Sequence, residues 1–249
     1  MIALIDQPYR DAGIELRYDF FRPNSEEVLP LVICLHGGGW ISGCKEDARD
    51  LALGLARNGF AAACPNYRLA PLHPFPAAVD DARFFVEFAR SKSDEWMIDP
   101  ARLGSVGNSA GGHLSAMLGL STDPAQRVDA VVDICGLTDL TRPAEQHFPI
   151  AWGFLEQFMA VPYDGNEKLW ESASPLWQLR EGLPPFYVIH GIEDDVVPIA
   201  QSDVLVGALK RLGNQVEYLR IPGEDHNFNG GSFGMIERGY LSYFKEKLC

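Results

Sequence analysis

The sequence predicts an α/β fold, with a mostly parallel central sheet flanked by helices. Short apolar runs bounded by Gly and Pro alternate with longer stretches of helical period, which is the pattern of strands joined by crossover helices. The 249 residues are 47% hydrophobic and 22% charged, an ordinary globular composition that one large core can absorb. No repeat, linker or low-complexity tract divides the chain, so residues 1–249 read as a single domain.

The elements follow in order. Ile14 to Phe20 alternates apolar and polar residues, as an exposed edge strand does. Buried strands are expected at Leu31–Leu35, Phe60–Cys64, Leu103–Val106, Ala130–Cys135, Phe186–His190 and Val216–Ile221. Helical period marks Asp47–Arg57, Ala77–Arg90, Ala110–Leu120, Ile199–Leu212 and Phe233–Lys247. Residues 142–183 break the rhythm. They are long, punctuated by proline and rich in aromatic residues from Trp152 to Trp177, and read as a short lid-like insertion.

Bulk properties narrow the function. A formal net charge of −13 repels a phosphate backbone, so nucleic acid is not an expected partner. No run of eighteen apolar residues exists, so no membrane span is expected. The opening MIALIDQPYRDAG lacks a basic segment followed by a long apolar one, and no signal peptide is read. Cys34, Cys44, Cys64, Cys135 and Cys249 are odd in number and show no paired spacing. They read as free thiols in a reducing, cytoplasmic setting. No H-E-x-x-H or comparable cluster occurs, so neither a metal nor another cofactor is expected. The expected partner is a small-molecule ester, and homo-oligomerisation is left open.

The chemistry begins where the Leu103–Val106 strand runs into Gly107-Asn108-Ser109-Ala110-Gly111-Gly112 and a helix follows at once. Strand, G-x-S-x-G, helix is the context of a nucleophile elbow, a sharp turn that crowds the residues two positions either side of the serine. A second match, Gly230-Gly231-Ser232-Phe233-Gly234, has no strand running into it and no histidine after it, and reads as a glycine-rich loop. The Leu31–Leu35 strand ends in His36-Gly37-Gly38-Gly39-Trp40. Its consecutive glycines expose backbone N–H groups able to stabilise a developing oxyanion, and Ala110 adds the N–H that follows the nucleophile. A phosphate loop is the alternative, but neither G-x-x-x-x-G-K-[ST] nor G-x-G-x-x-G is present there.

Two further strand ends complete the set. Phe186–His190 leads into the acidic cluster Glu193, Asp194 and Asp195, and Val216–Ile221 leads into a loop carrying His226. Open α/β sheets bind ligands beyond such carboxyl ends. Serine needs a base to remove its proton, and the imidazolium that forms needs a carboxylate. The order Ser109, acid, His226 suits this fold, although spacing alone does not choose among the three acids. His36, His113 and His190 read as structural, and His73 and His147 lie in loops without evident partners.

Six segments in order carry a resemblance: HGGGW at 36–40, YRLAP at 67–71, GNSAGG at 107–112, ASPL at 173–176, HGIEDDVVP at 190–198 and GEDHNF at 223–228. From Leu31 onward the chain resembles the HGGG-motif esterases of the α/β-hydrolase fold. These are the hormone-sensitive-lipase-like enzymes and their smaller bacterial feruloyl and acetyl-xylan esterase relatives. The resemblance implies a serine carboxylesterase acting on small or short-acyl esters, with catalytic Ser109, Asp194 and His226. The acid falls at the fifth position of H-G-x-x-D-x-x-V-P, and the oxyanion donors map to Gly38, Gly39 and Ala110. Trp40, Trp152 and Phe158 are the candidate substrate-contacting side chains. The larger relatives carry an N-terminal cap, whereas 35 residues precede His36, so a more open pocket covered mainly by residues 142–183 is expected. A kynurenine-formamidase-like amidase and a non-catalytic binding protein are the rival readings.

Overall fold

Eight strands form one sheet in the computed structural model, which describes residues 1–141 and 147–249. In chain order they are β1 (Ile2–Asp11), β2 (Glu15–Arg22), β3 (Leu29–Leu35), β4 (Ala61–Pro65), β5 (Ile98–Asn108), β6 (Ala130–Ile134), β7 (Phe186–Gly191) and β8 (Val216–Ile221). Their order across the sheet is β1-β2-β4-β3-β5-β6-β7-β8. β2 runs antiparallel to both of its neighbours and every other pairing is parallel.

Parallel strands need crossovers, and helices supply them on both faces. They are α1 (Arg49–Arg57), α2 (Ala77–Ser91), α3 (Ser93–Trp96), α4 (Ala110–Gly119), α5 (Pro149–Met159), α6 (Glu167–Ala173), α7 (Ala200–Arg211) and α8 (Phe233–Leu248). The alternation along β3 shows how both faces are filled. Leu31, Ile33 and Leu35 pack with α2 and α4 residues such as Phe85 and Leu114, while Val32 and Cys34 pack with Leu55 of α1 and Phe244 of α8. All five side chains are buried, as continuous apolar runs in a two-sided sheet require.

The edge differs from expectation. β2 is an interior strand, and the edges are β1, which the apolar pattern did not reveal, and β8, expected among the buried strands but buried only at Ile221. β1 faces solvent along most of its length, and its register shifts on either side of Gln7 and Pro8. Asp6 sits there at φ 56°, so strict alternation never develops. Residues 147–183 of the expected insertion carry α5 and α6; residues 142–146 lie outside the described part.

The direction in which successive strands are added to the sheet reverses between β3 and β5, because β4 lies on one side of β3 and β5 returns to the other. Their carboxyl ends carry the 36–40 glycines and Ser109, at the switch point where open α/β sheets bind ligands.

Candidate active site

Ser109 lies between β5 and α4 at φ 56° and ψ −119°, outside the regions that L-residues ordinarily occupy. The flanking glycines make this turn feasible. A Cβ on Gly107 would stand 2.4 Å from the Gly111 backbone, and one on Gly111 would stand 2.2 Å from the Leu35 carbonyl oxygen. The turn is held by Ser109 N–H donating to the Ile134 carbonyl at 2.8 Å and His113 N–H donating to the Ser109 carbonyl at 3.0 Å. Among the described residues the Ser109 Oγ has no hydrogen-bond partner.

The loops after β7 and β8 bring Asp194 and His226 together. His226 Nδ1 lies 2.8 Å from Asp194 Oδ2, while Asp194 Oδ1 accepts the N–H groups of Val196 at 2.9 Å and Val197 at 2.7 Å. Burial pushes the Asp194 carboxyl up, but hydrogen bonds from His190, His226 and the Val197 N–H outweigh it and hold the group well below the usual carboxylate range. Glu193 takes another role, accepting the Gly223 N–H. Asp195 is exposed. The Cys135 thiol lies with the acid and the histidine, their nearest ligating atoms all within 4.8 Å of one another. Cys135 is fully buried at φ 44°, and burial pushes its thiol up, so it stands as a protonated packing group beneath the pair.

The candidate oxyanion loop adopts the left-handed region at Gly38 (φ 105°) and Gly39 (φ 59°). A Cβ on Gly38 would stand 2.3 Å from the Ser42 carbonyl oxygen, whereas one on Gly39 would stand 2.7 Å from the ring of Phe154. Neither glycine donates its N–H to a described residue, and Ala110 stands at the first position of α4, where helical N–H groups are unpaired. His36 braces the loop from beneath. Its ring stacks on Tyr67 at 4.1 Å, the Tyr67 hydroxyl donates to the His36 carbonyl at 2.9 Å, and burial lowers the imidazole's proton affinity.

Two candidate substrate contacts are corrected. Trp40 and Phe158 have 0% and 1% of their surface exposed, so neither can touch a substrate in this conformation. Their rings stack on each other at 4.3 Å, and the Trp40 Nε1–H donates to His113 Nδ1 at 3.2 Å. His113 Nε2–H in turn donates to the Ala173 carbonyl at 2.8 Å, and burial pushes this imidazole down to about 4. The four residues tie α4, α5 and the end of α6 to the oxyanion loop as packing. Trp152 is half-buried, its ring 5.6 Å from that of Trp170. The residue that sequence reasoning missed is Phe154, which partly faces solvent against Gly39. The i, i+4 spacing of Phe154 and Phe158 on α5 held no clue to which ring is covered, because no caps or partners for that helix are legible in the sequence. Beside His226 a cleft of about 480 Å³ opens, walled by Asn108, Leu51, Phe228, Phe233 and Tyr240 and bordered by Asp47, Asp50 and Glu237.

Comparison with known proteins gives one family model, BD-FAE, matching residues 18–209. The chain is similar to esterase LipC of Mycobacterium tuberculosis, with 33% identity over 217 residues, covering 80% of this chain and 53% of that protein. It is similar to esterase LipQ of the same organism, with 32% identity over 240 residues, 90% of this chain and 57% of the relative. The chain thus spans about half the length of the curated relatives it matches. Among solved structures, a truncated carbohydrate esterase from gut microbiota superposes with a TM-score of 0.85 at 23% identity, covering 99% of this chain and 96% of that one. Esterase 2 of Thermogutta terrifontis gives 0.83 at 23% identity, over 97% and 92% of the two chains. No described helix is long and apolar enough to cross a membrane.

Proposed function

The chain belongs to the BD-FAE family and has the α/β-hydrolase fold, and from that premise we propose that it is a serine carboxylesterase acting on small or short-acyl esters through an acyl-enzyme. The observation that carries this reading is the strained Ser109 between Gly107 and Gly111, at the same strand-end edge as the His226–Asp194 pair. The named activities of LipC and LipQ support it.

His226 Nδ1–H donates to Asp194, which leaves Nε2 to take the Ser109 proton as Oγ attacks the ester carbonyl. The serine–histidine hydrogen bond closes when substrate binds. The N–H groups of Gly38, Gly39 and Ala110 meet the oxyanion, each contributing roughly 3 kcal/mol to lowering the barrier. Collapse expels the alcohol, which takes its proton from His226, and water then releases the acid by the same steps in reverse. The leaving alcohol departs on the His226 side, toward the 480 Å³ cleft, where Asp47, Asp50 and Glu237 disfavour an anionic alcohol. Phe154 against Gly39 limits the acyl side, and Trp152 forms part of the same wall.

One sheet with a hydrophobic cluster on each face supports reading residues 1–249 as one domain, with 142–183 as its insertion. Five free cysteines support a reducing, cytoplasmic location.

The test is a panel of p-nitrophenyl esters from acetate to long chains, with feruloyl and acetyl-sugar esters included. kcat/KM peaks at the short acyl groups, and Ser109→Ala lowers it by about 10⁴-fold while the circular dichroism spectrum is retained. Retention of more than about a tenth of the activity, well above that expectation, would remove Ser109 from the mechanism. Faster turnover of N-formylkynurenine than of any ester would replace the esterase with an amidase.

A further inference from the structure

His190 is the penultimate residue of β7 and has no exposed surface, and its imidazole lies beside the same oxygen of the proposed catalytic acid as the proposed base. Nε2 stands 2.9 Å from the Val197 carbonyl oxygen and 3.2 Å from Asp194 Oδ2. Both neighbours are acceptors, so Nε2 carries a proton; its hydrogen bond goes to the Val197 carbonyl, with Asp194 Oδ2 alongside. Nδ1 lies 2.7 Å from the Ser202 Oγ of α7, which fixes the ring plane. Asp194 Oδ2 therefore has two imidazole nitrogens beside it, His226 Nδ1 hydrogen-bonded at 2.8 Å and His190 Nε2 at 3.2 Å, while Oδ1 receives two backbone N–H groups.

We infer that His190 is a positioning residue whose Nε2–H, held on the Val197 carbonyl 3.2 Å from Asp194 Oδ2, sets the pH at which His226 becomes free to act as base. The inference rests on the triad reading above. A carboxylate oxygen shared by two donors is a weaker acceptor for each than an oxygen with one donor. His190 thus restrains how strongly Asp194 stabilises the imidazolium of His226. Removing its N–H leaves Asp194 to His226 alone, and the base holds its proton to higher pH. The hydrogen bonds from His190 to the Val197 carbonyl and from the Val197 N–H to Asp194 Oδ1 lock the 190–198 loop, which keeps Oδ2 aimed at His226. The titratable groups facing this assembly are Asp133 from β6, Cys135 just after it and Asp225 from the loop of His226. Asp133 is raised to about 6 by burial and titrates in the range of interest, so each measurement is repeated on an Asp133→Asn background.

The experiment is the pH profile of kcat/KM for p-nitrophenyl acetate in wild type, His190→Phe, His190→Asn and His190→Gln, with folding checked by circular dichroism. Phe removes the donor, and the shorter Asn amide stays with Ser202 and falls short of Asp194. Both move the acid limb upward by about 0.5 to 1 pH unit, the scale of one lost carboxylate hydrogen bond. The alkaline plateau falls less than about tenfold, since the triad is intact. Gln, whose amide N–H reaches Asp194, returns at least half of the shift. Whichever of the Phe and Asn variants folds decides the matter. An unmoved limb with activity lowered equally at every pH reduces His190 to packing and overturns the inference. Asp194→Asn and Ser109→Ala are run in parallel. If either keeps wild-type activity, the triad and the inference fall together; if both are inactive and the limb is unmoved, the inference alone falls.

Discussion

At Ser109 the backbone is driven to a conformation that costs on the order of 1–3 kcal/mol, and the surrounding contacts over-determine it. Asp133, one strand over, is part of that support. Its Oδ1 accepts the Gly136 N–H at 2.9 Å and lies where a Cβ on Gly112 or Gly136 would be, while its Oδ2 is buried without a partner. Burial raises this carboxyl to about 6, against the opposing Gly136 hydrogen bond and the nearby His190. A folded-state value above the unfolded one, about 3.9, means that the stability contribution is full below that unfolded value and is lost as pH rises through about 6. Wild type should therefore lose melting temperature between about pH 4 and pH 7 relative to Asp133→Asn, which has no such ionisation. Equal pH dependence of the two proteins in thermal melts would refute this. Asp194 has the opposite sign: its depressed carboxyl contributes above the unfolded value, and the contribution is lost only as pH falls toward its folded value. At this scale the sequence is readable where geometry restricts residue type, as at Gly107 and Gly111. It is silent on Asp133 and on the second imidazole at Asp194, because both depend on which side chains of separate strands meet.

The elements around the site were legible in proportion to their regularity. β3, β4, β6 and β7 read as continuous apolar runs because both sheet faces are buried there, α4 and α8 follow helical period, and the carboxyl ends of the strands mark the site. β1 escaped because a solvent-facing, bulged edge strand has no buried face to impose alternation. α5 was legible only as aromatic content. Trp40 and Phe158 stack out of solvent, and Phe154, one turn earlier, meets Gly39. On the proposed function, that packing places α5 beside the acyl site. Phe154→Ala should open room beside the oxyanion loop and raise kcat/KM for butyrate and hexanoate esters relative to acetate by about tenfold, the scale of one or two methylenes in a pocket. Phe158→Ala should instead cost about 3 kcal/mol of stability, as a fully buried ring does. The two are separated by the ester panel and by urea denaturation. An unchanged chain-length profile in Phe154→Ala would take α5 out of the acyl site.

Across the whole molecule, charge is distributed unevenly. Two buried carboxylates gather cations: Asp19 holds Lys45 at 3.1 Å and Arg49 at 2.5 Å, and Asp81 holds Arg10 at 2.7 Å and Arg68 at 2.8 Å. These pairs tie β1 and β2 to α1, α2 and the segment after β4, where covalent crossovers are absent. Asp81→Asn should cost about 3 kcal/mol, because it leaves two partly buried guanidinium groups uncompensated. With 21 basic residues against 34 acidic ones, cations drawn to these sites leave the remaining surface strongly acidic, and its self-repulsion opposes the compact state. Salt separates the two effects. Repulsion among exposed carboxylates is screened over about 8 Å at physiological ionic strength, whereas the buried pairs are screened much less. Raising sodium chloride from about 10 mM to about 150 mM should therefore raise the melting temperature of wild type and leave the penalty of Asp81→Asn nearly constant. A fall in wild-type melting temperature over that range would mean that exposed ion pairs, rather than surface repulsion, dominate the electrostatics of the fold.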